Sequence, residues 1–237
     1  MTLIIVLLLV VLAAAVLQTL SGFGFALMVM PVAVTLLGVD TAVPIVALTA
    51  FILYSFNLVR YRHILNWVEL KRLGVSVVLG VPVGILLLGN LPEAAIRFFL
   101  GLLLIAYALY VLFAPQVTAV MSPKWGYIAG FFAGCLGGAY NVPGPPVVVY
   151  GSASQWPKDE FRAILQSLFF LQGCFVVLGH TLAGNLTIDT AVTSLFTVPA
   201  LLLGIFIGTH FDQRVSQQTF RTFIAIMILI LGTTLLF

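Results

Sequence analysis

Gly137-Gly138-Ala139-Tyr140-Asn141-Val142-Pro143-Gly144-Pro145-Pro146 interrupts an apolar run, and its reading decides the fold. An earlier stretch, Ser21-Gly22-Phe23-Gly24-Phe25-Ala26-Leu27-Met28-Val29-Met30-Pro31, breaks a second apolar run in a similar way. Sliding one onto the other sets Gly22 on Gly137 and Pro31 on Pro146, 115 residues apart. Gly/Pro-interrupted hydrophobic segments at matching positions of two halves point to a transporter binding site.

The composition around these breaks is that of a membrane protein. Hydrophobic residues make up 62% of the chain and charged residues 7%, where a soluble domain carries roughly a quarter charged. No polar stretch is long enough to fold as a separate soluble domain. Met1 to Gln18 lacks a basic leader region and further apolar segments follow at once, so it reads as a retained segment. The net charge of +3 comes from basic residues in short loops, which suits membrane orientation. No Lys/Arg cluster interleaved with aromatics points to nucleic acid. Cys135 and Cys174 each lie in an apolar run and read as free buried thiols, without metal-ligand spacing.

Each half divides into five apolar segments, a to e. They fall near 3–20, 24–38, 42–59, 73–91 and 95–113 in the first half, and near 125–136, 146–154, 161–179, 190–209 and 218–237 in the second. Segments c, d and e are long enough to cross a hydrocarbon core of about 30 Å as helices. Segments a and b of the second half are too short, and read as a re-entrant hairpin whose tip must face protein or a water-filled cavity.

The halves resemble each other. Residues 80–113 align without gaps on 204–237, pairing Gly80 with Gly204, Gly84 with Gly208, Arg97 with Arg221 and Phe99 with Phe223. The c–d loop of the first half carries Arg60, Arg62, His63, Lys71 and Arg72, while its counterpart near Thr181 to Thr190 has no Lys or Arg. The second-half b–c loop holds Lys158 and Arg162, against none in Gly38 to Thr41. The d–e loops continue the bias, with Arg214 and Arg221 against Arg97 alone. The positive-inside rule then places equivalent loops on opposite sides of the membrane, and both termini outside. The expected fold is an all-α integral membrane protein with one transmembrane domain, 1–237. It comprises two inverted-topology repeats, 1–115 and 124–237, each opened by a Gly/Pro-broken or re-entrant helical hairpin.

With those glycine-rich, proline-ending stretches in both halves, the chain resembles the TauE/SafE family of sulfite and organosulfonate exporters. Gly137-Gly138-Ala139 leading into Pro143-Gly144-Pro145-Pro146, the Lys158…Phe161-Arg162 start of segment c, and the Gly80…Gly84 and Gly204…Gly208 pairs carry the resemblance across essentially the whole chain. Many members have a denser glycine run where this chain has Phe23 and Phe25. The resemblance implies a multi-pass protein of the cell (inner) membrane that exports small sulfur-containing anions. It needs no cofactor. Its partners would be the anion and the bilayer, and a homodimer stays open.

A helix restarting after a break leaves its first N–H groups without partners and presents about half a positive charge. Glycine lets an anion approach that backbone. Gly22, Gly24, Gly137, Gly138 and Gly144 are therefore read as substrate-binding backbone, with the two tips converging near the midplane from opposite leaflets. Ser21 and Asn141 would donate hydrogen bonds there. The plainer alternatives are close helix packing for the glycines and helix capping for Ser21 and Asn141. Arg162 and Gln166 stand four apart on one face of segment c. Arg162 suits an oxyanion, or serves as an interfacial anchor. Gln166, Gln172 and Asn57 line a path or hydrogen-bond between helices.

All seven acids (Asp40, Glu69, Glu93, Asp159, Glu160, Asp189, Asp212) fall in loops or at segment ends, and His63, His180 and His210 lie at or near ends. No intramembrane carboxylate is left for a proton relay or a cation site. An interior-negative membrane favours anion efflux by about 2.3 kcal/mol per charge per 100 mV, so export of an anion needs no strong coupling device. An integral membrane enzyme would need clustered acids, histidines or a nucleophile, which the sequence lacks. The leading expectation is alternating-access export of a sulfur oxyanion. An anion channel on the same scaffold and a transporter of another small organic anion are the alternatives.

Overall fold

Bilayer-embedded chains must satisfy their backbone internally, and a run of helices is one of the two ways to do so. The computed structural model of this chain describes residues 2–113, 121–211 and 217–236, and the regular elements in them are all helical. Asp212, Arg214 and Phe237, and the side chain of Arg221, lie outside the described residues. The helices are α1 (Thr2–Ser21), α2 (Phe25–Leu37), α3 (Val39–Tyr61), α4 (Trp67–Asn90), α5 (Glu93–Phe113), α6 (Trp125–Tyr140), α7 (Gly144–Ala153), α8 (Lys158–Leu182), α9 (Ile188–Phe211) and α10 (Gln217–Thr234). Each expected apolar segment corresponds to one of them.

Among the described residues, six helices are long and apolar enough to cross a membrane: α1, α3, α4, α5, α8 and α9. At 13, 16 and 10 residues, α2, α6 and α7 fall short of the roughly 20 that a span needs. Large apolar side chains cover the outer faces of the spans, among them Val75, Leu79 and Leu86 on α4 and Leu195, Phe196 and Phe206 on α9. Hydrocarbon is the solvent that such faces require.

Several boundaries differ from expectation, the largest at the start of α4, which begins at Trp67 rather than 73, and two of them share one reason. Segment a of the second half was expected to stop near 136, but α6 continues through Gly137 and Gly138 to Tyr140. Likewise α8 runs to Leu182 rather than 179. Glycine is a poor helix former, yet packing overrides that preference where only a glycine lets a neighbour approach.

The helices group into two compact units. One contains α1, α2, α3 as far as Thr49, α5, α9 and α10; the other contains α3 from Ala50, α4, α6, α7 and α8. Each draws helices from both halves of the sequence.

The second unit is built on a glycine seam. Gly126, Gly130, Gly134 and Gly138 recur every four residues along α6 and so form one stripe. A Cβ on Gly130, Gly134 or Gly138 would collide with the carbonyl oxygens of Leu73, Val77 and Val81 on α4. In return, a Cβ on Gly80 or Gly84 would strike the carbonyls of Phe131 and Cys135. The two helices run parallel, backbone against backbone, which is how small residues associate helices where lipid is as apolar as leucine.

The first unit repeats the device more loosely. A Cβ on Gly204 of α9 would lie 2.6 Å from the Leu12 carbonyl oxygen of α1, and one on Gly208 would lie 2.8 Å from Thr19 Cβ and 3.0 Å from the Val16 oxygen. Gly101 of α5 approaches the Gly232 carbonyl of α10 in the same manner. Polar contacts fix the start of α3 on α9: Ser194 Oγ donates to Ile45 O at 3.4 Å, and the Thr49 and Thr197 hydroxyls lie 3.1 Å apart.

Replacing Gly134 with leucine should force α4 from α6 and abolish the monodisperse, folded protein in detergent. Leu79→Ala, on the exposed face of the same helix pair, should shift stability by only about 0.5 kcal/mol. Thermal melts followed by size-exclusion chromatography compare the two.

Candidate functional site

Both helix breaks are buried, and each is closed by a different chemical solution. The first lies between Ser21 and Phe25. Gly22 and Gly24 have φ of +88° and +109°, a region that costs any other L-residue roughly 1–2 kcal/mol. Both glycines of the expected site are therefore required by the path of the chain. Gln18 of α1 spans the gap: its Nε2 donates to Gly22 O at 3.1 Å, and its Oε1 accepts from the Phe25 N–H at 3.0 Å. Ser21 Oγ lies 2.8 Å from Leu17 O and 2.6 Å from Phe23 O, either of which takes its proton, and it accepts from Phe23 N–H at 3.3 Å. Ser21 thus works on local backbone.

The second break comprises only Asn141, Val142 and Pro143. Asn141 adopts the left-handed conformation at φ 56°, and its N–H donates to Gly137 O at 2.9 Å. That is an αL helix cap, a place where asparagine substitutes for glycine. The helices end at Ser21 and Tyr140 and restart at Phe25 and Gly144, so the breaks correspond at a separation of 119 residues. The sequence superposition of Gly22 on Gly137 matches a break residue to one inside a helix. Gly137 and Gly138 lie in α6, where a Cβ on Gly137 would land on the Gln172 amide and one on Gly138 on the Val81 carbonyl. Gly144 is the first residue of α7 and is buried.

The two restarting helices offer unequal numbers of donors. α2 begins Phe25-Ala26-Leu27-Met28, all buried, with an N–H on every residue. Gln18 takes that of Phe25, and Met28 N–H reaches Gly24 O at 3.2 Å. α7 begins Gly144-Pro145-Pro146-Val147, so two of its first-turn positions have no N–H at all.

Arg162 and Gln166 are brought together on one buried face of α8, at 3% and 0% exposure. The face continues by steps of three and four through Phe169, Gly173 and Val176 to His180. It is held against α3 by Phe51 on Phe170, with ring centroids 5.3 Å apart, and by Tyr54 on Phe169 at 5.2 Å. At the N-terminal end of α8, Glu160 accepts from Asn66 Nδ2 at 2.8 Å, while Asn66 Oδ1 caps α4 through the N–H groups of Val68 and Glu69. Glu69 pairs with Arg72 and accepts from Tyr150 OH at 3.2 Å. The ends of α4, α7 and α8 are thereby tied to one another.

Sequence reasoning missed Gln18, the α6 glycine stripe and the burial of His180. Gln18 carried a signal, as a polar side chain in an apolar helix four residues before a glycine.

Among the described residues, broken and partly too-short helices accompany six that are long and apolar enough to cross a membrane, the make-up of a multi-pass membrane protein. Comparison with known proteins agrees: the family described as "Sulfite exporter TauE/SafE" matches residues 7–235, and the chain belongs to that family of membrane exporters. It is similar to the "Probable sulfite/organosulfonate exporter TauE" of Cupriavidus necator, with 27% identity over 211 residues, covering 86% of this chain and 82% of the relative. No solved structure matches.

Gln18→Leu should strip both ends of the bridge and cost about 2–6 kcal/mol, since each of the two buried groups left unmet costs about 1–3. At Asn141 the backbone sets the expectation: Asn141→Gly should retain stability and Asn141→Ala should lose about 1 kcal/mol. Thermal melts in detergent check all three. Loss of transport in a stable Asn141→Gly protein would mark the side chain as a ligand contact.

Proposed function

We propose that the protein is a secondary transporter of the cell (inner) membrane that exports a small sulfur oxyanion, sulfite or an organosulfonate, by alternating access. The observation that carries this reading is the buried start of α2. Its first turn contains no charged residue, and helix geometry leaves the N–H groups of Ala26 and Leu27 without intrahelical acceptors. An anion placed there meets two donors and the positive end of the helix dipole, so it needs no buried lysine. Prolines occupy two positions in the first turn of α7, which leaves N–H groups on Gly144 and Val147 at the second break. The name of the C. necator relative and the family description support this choice of ligand class.

The two halves form inverted repeats in this reading. Gly80 and Gly84 meet α6 at Phe131 and Cys135, while Gly204 and Gly208 meet α1 at Leu12 and Val16. The glycines differ by 124 positions and their partners by 119, the separation of the breaks themselves. Such parallel bookkeeping supports duplication, and the charge asymmetry of the loops supports inversion. In this arrangement the α3–α4 loop is cytoplasmic and the α8–α9 loop external.

Liposomes containing the purified protein and loaded with sulfite should release it faster than protein-free liposomes, and faster still when the interior is made negative. Absence of protein-dependent efflux for sulfite, sulfate, thiosulfate and sulfoacetate would overturn the assignment. For topology, a cysteine at exposed Asn185 should react with an impermeant maleimide from outside intact cells. A cysteine at His63 should react only after permeabilisation. The reverse pattern contradicts the inverted arrangement.

A further inference from the structure

We propose that His180 and Gln172, on the buried face of α8, contact the transported oxyanion toward the C-terminal end of that helix. The inference rests on the exporter reading above and extends it to two residues outside the helix breaks.

Buried polar side chains in membrane helices ordinarily serve as glue, hydrogen-bonded to a neighbouring helix. Two on α8 are not used that way. His180 is 0% exposed and its Nε2 has no hydrogen-bond partner among the described residues. Its Nδ1 lies 3.3 Å from Nδ2 of Asn185, a residue on the exposed loop that follows. With the Asn185 amide nitrogen toward it, Nδ1 accepts and the ring proton resides on Nε2. The result is an N–H donor aimed into the protein and fixed from the loop side. Gln172 is 2% exposed, and its Oε1 likewise has no partner among the described residues.

Unmet buried groups are rare and call for an explanation. The amide of Gln172 lies against Gly137, one helical turn before the break in α6, and no residue with a Cβ leaves room for it there. Turned over, that amide presents its NH2 to an anion. Arg162, Gln166, Gln172 and His180 follow one another along α8, and about 27 Å separates the first from the last at helical rise. Only Arg162 carries a fixed charge. A path with a cation at one end and neutral donors beyond it attracts an oxyanion and lets it leave, since conduction requires binding weak enough to release.

The test uses the full chain in liposomes with sulfite inside. His180→Leu should reduce the initial efflux rate about tenfold, with a melting temperature equal to or above wild type because an unmet donor has been removed. His180→Gln, which restores an N–H donor without a titrating ring, should recover most of the rate. Gln172→Leu should raise the apparent KM for sulfite without lowering the melting temperature. Wild-type rates and KM in both leucine variants would overturn the proposal. So would a rate loss that tracks a fallen melting temperature and is not recovered in His180→Gln. Failure of wild type to move any of the four sulfur oxyanions would instead sink the exporter reading, and this inference with it.

Discussion

A polypeptide that leaves its helix inside hydrocarbon must find partners for the freed N–H and C=O groups within the protein. Everything particular to this chain follows from meeting that constraint twice. At the first break the solution is a side chain: Gln18 reaches across to one carbonyl and one N–H. At the second it is conformation and omission. Asn141 turns left-handed to cap α6, and Pro145 and Pro146 remove donors that would otherwise have to be satisfied. At the break bridged by Gln18, the N–H groups of Ala26 and Leu27 have no intrahelical acceptors.

Those breaks stay in place because the helices leading into them are packed through backbone rather than side chains. Along the α4–α6 seam the facing atoms are carbonyl oxygens and glycine Cα atoms, so little rotamer freedom is lost and little can be rearranged. Bulk lies on the opposite faces, in the leucines and phenylalanines turned outward. The polar contacts at Asn66, Glu69, Arg72, Tyr150 and Glu160 then gather the ends of α4, α7 and α8 at one end of their unit.

Most of the helix pattern was legible in the sequence, because long apolar runs separated by charged or Gly/Pro punctuation leave few alternatives. The breaks were legible as breaks, but their register was not. Gly137 and Gly138 attract attention as part of a Gly/Pro cluster, although a four-residue spacing from Gly126 onward assigns Gly138 to a packing stripe. Composition drew the eye, and periodicity was the better guide. Asn141 and Ser21 were read with two roles each; the Asn141 backbone caps α6, and Ser21 Oγ bonds the local backbone of Leu17 and Phe23. His180 stood near a segment end in the sequence. Its burial depends on α8 continuing to Leu182, and tertiary packing decides that.

The partnership of α1 with α9 has a consequence for biosynthesis. α4 finds its mate in α6 soon after leaving the ribosome, whereas α1 must wait for a helix that begins at Ile188. At about 5–20 residues per second, some 165 intervening residues leave α1 in the membrane for roughly ten to thirty seconds without that partner. Its surface for α9 is built from Leu12, Ala15, Val16 and Thr19 rather than from a run of glycines. A helix so made can remain in lipid alone without exposing bare backbone, while the glycine-striped α6, whose partner α4 precedes it, never has to wait.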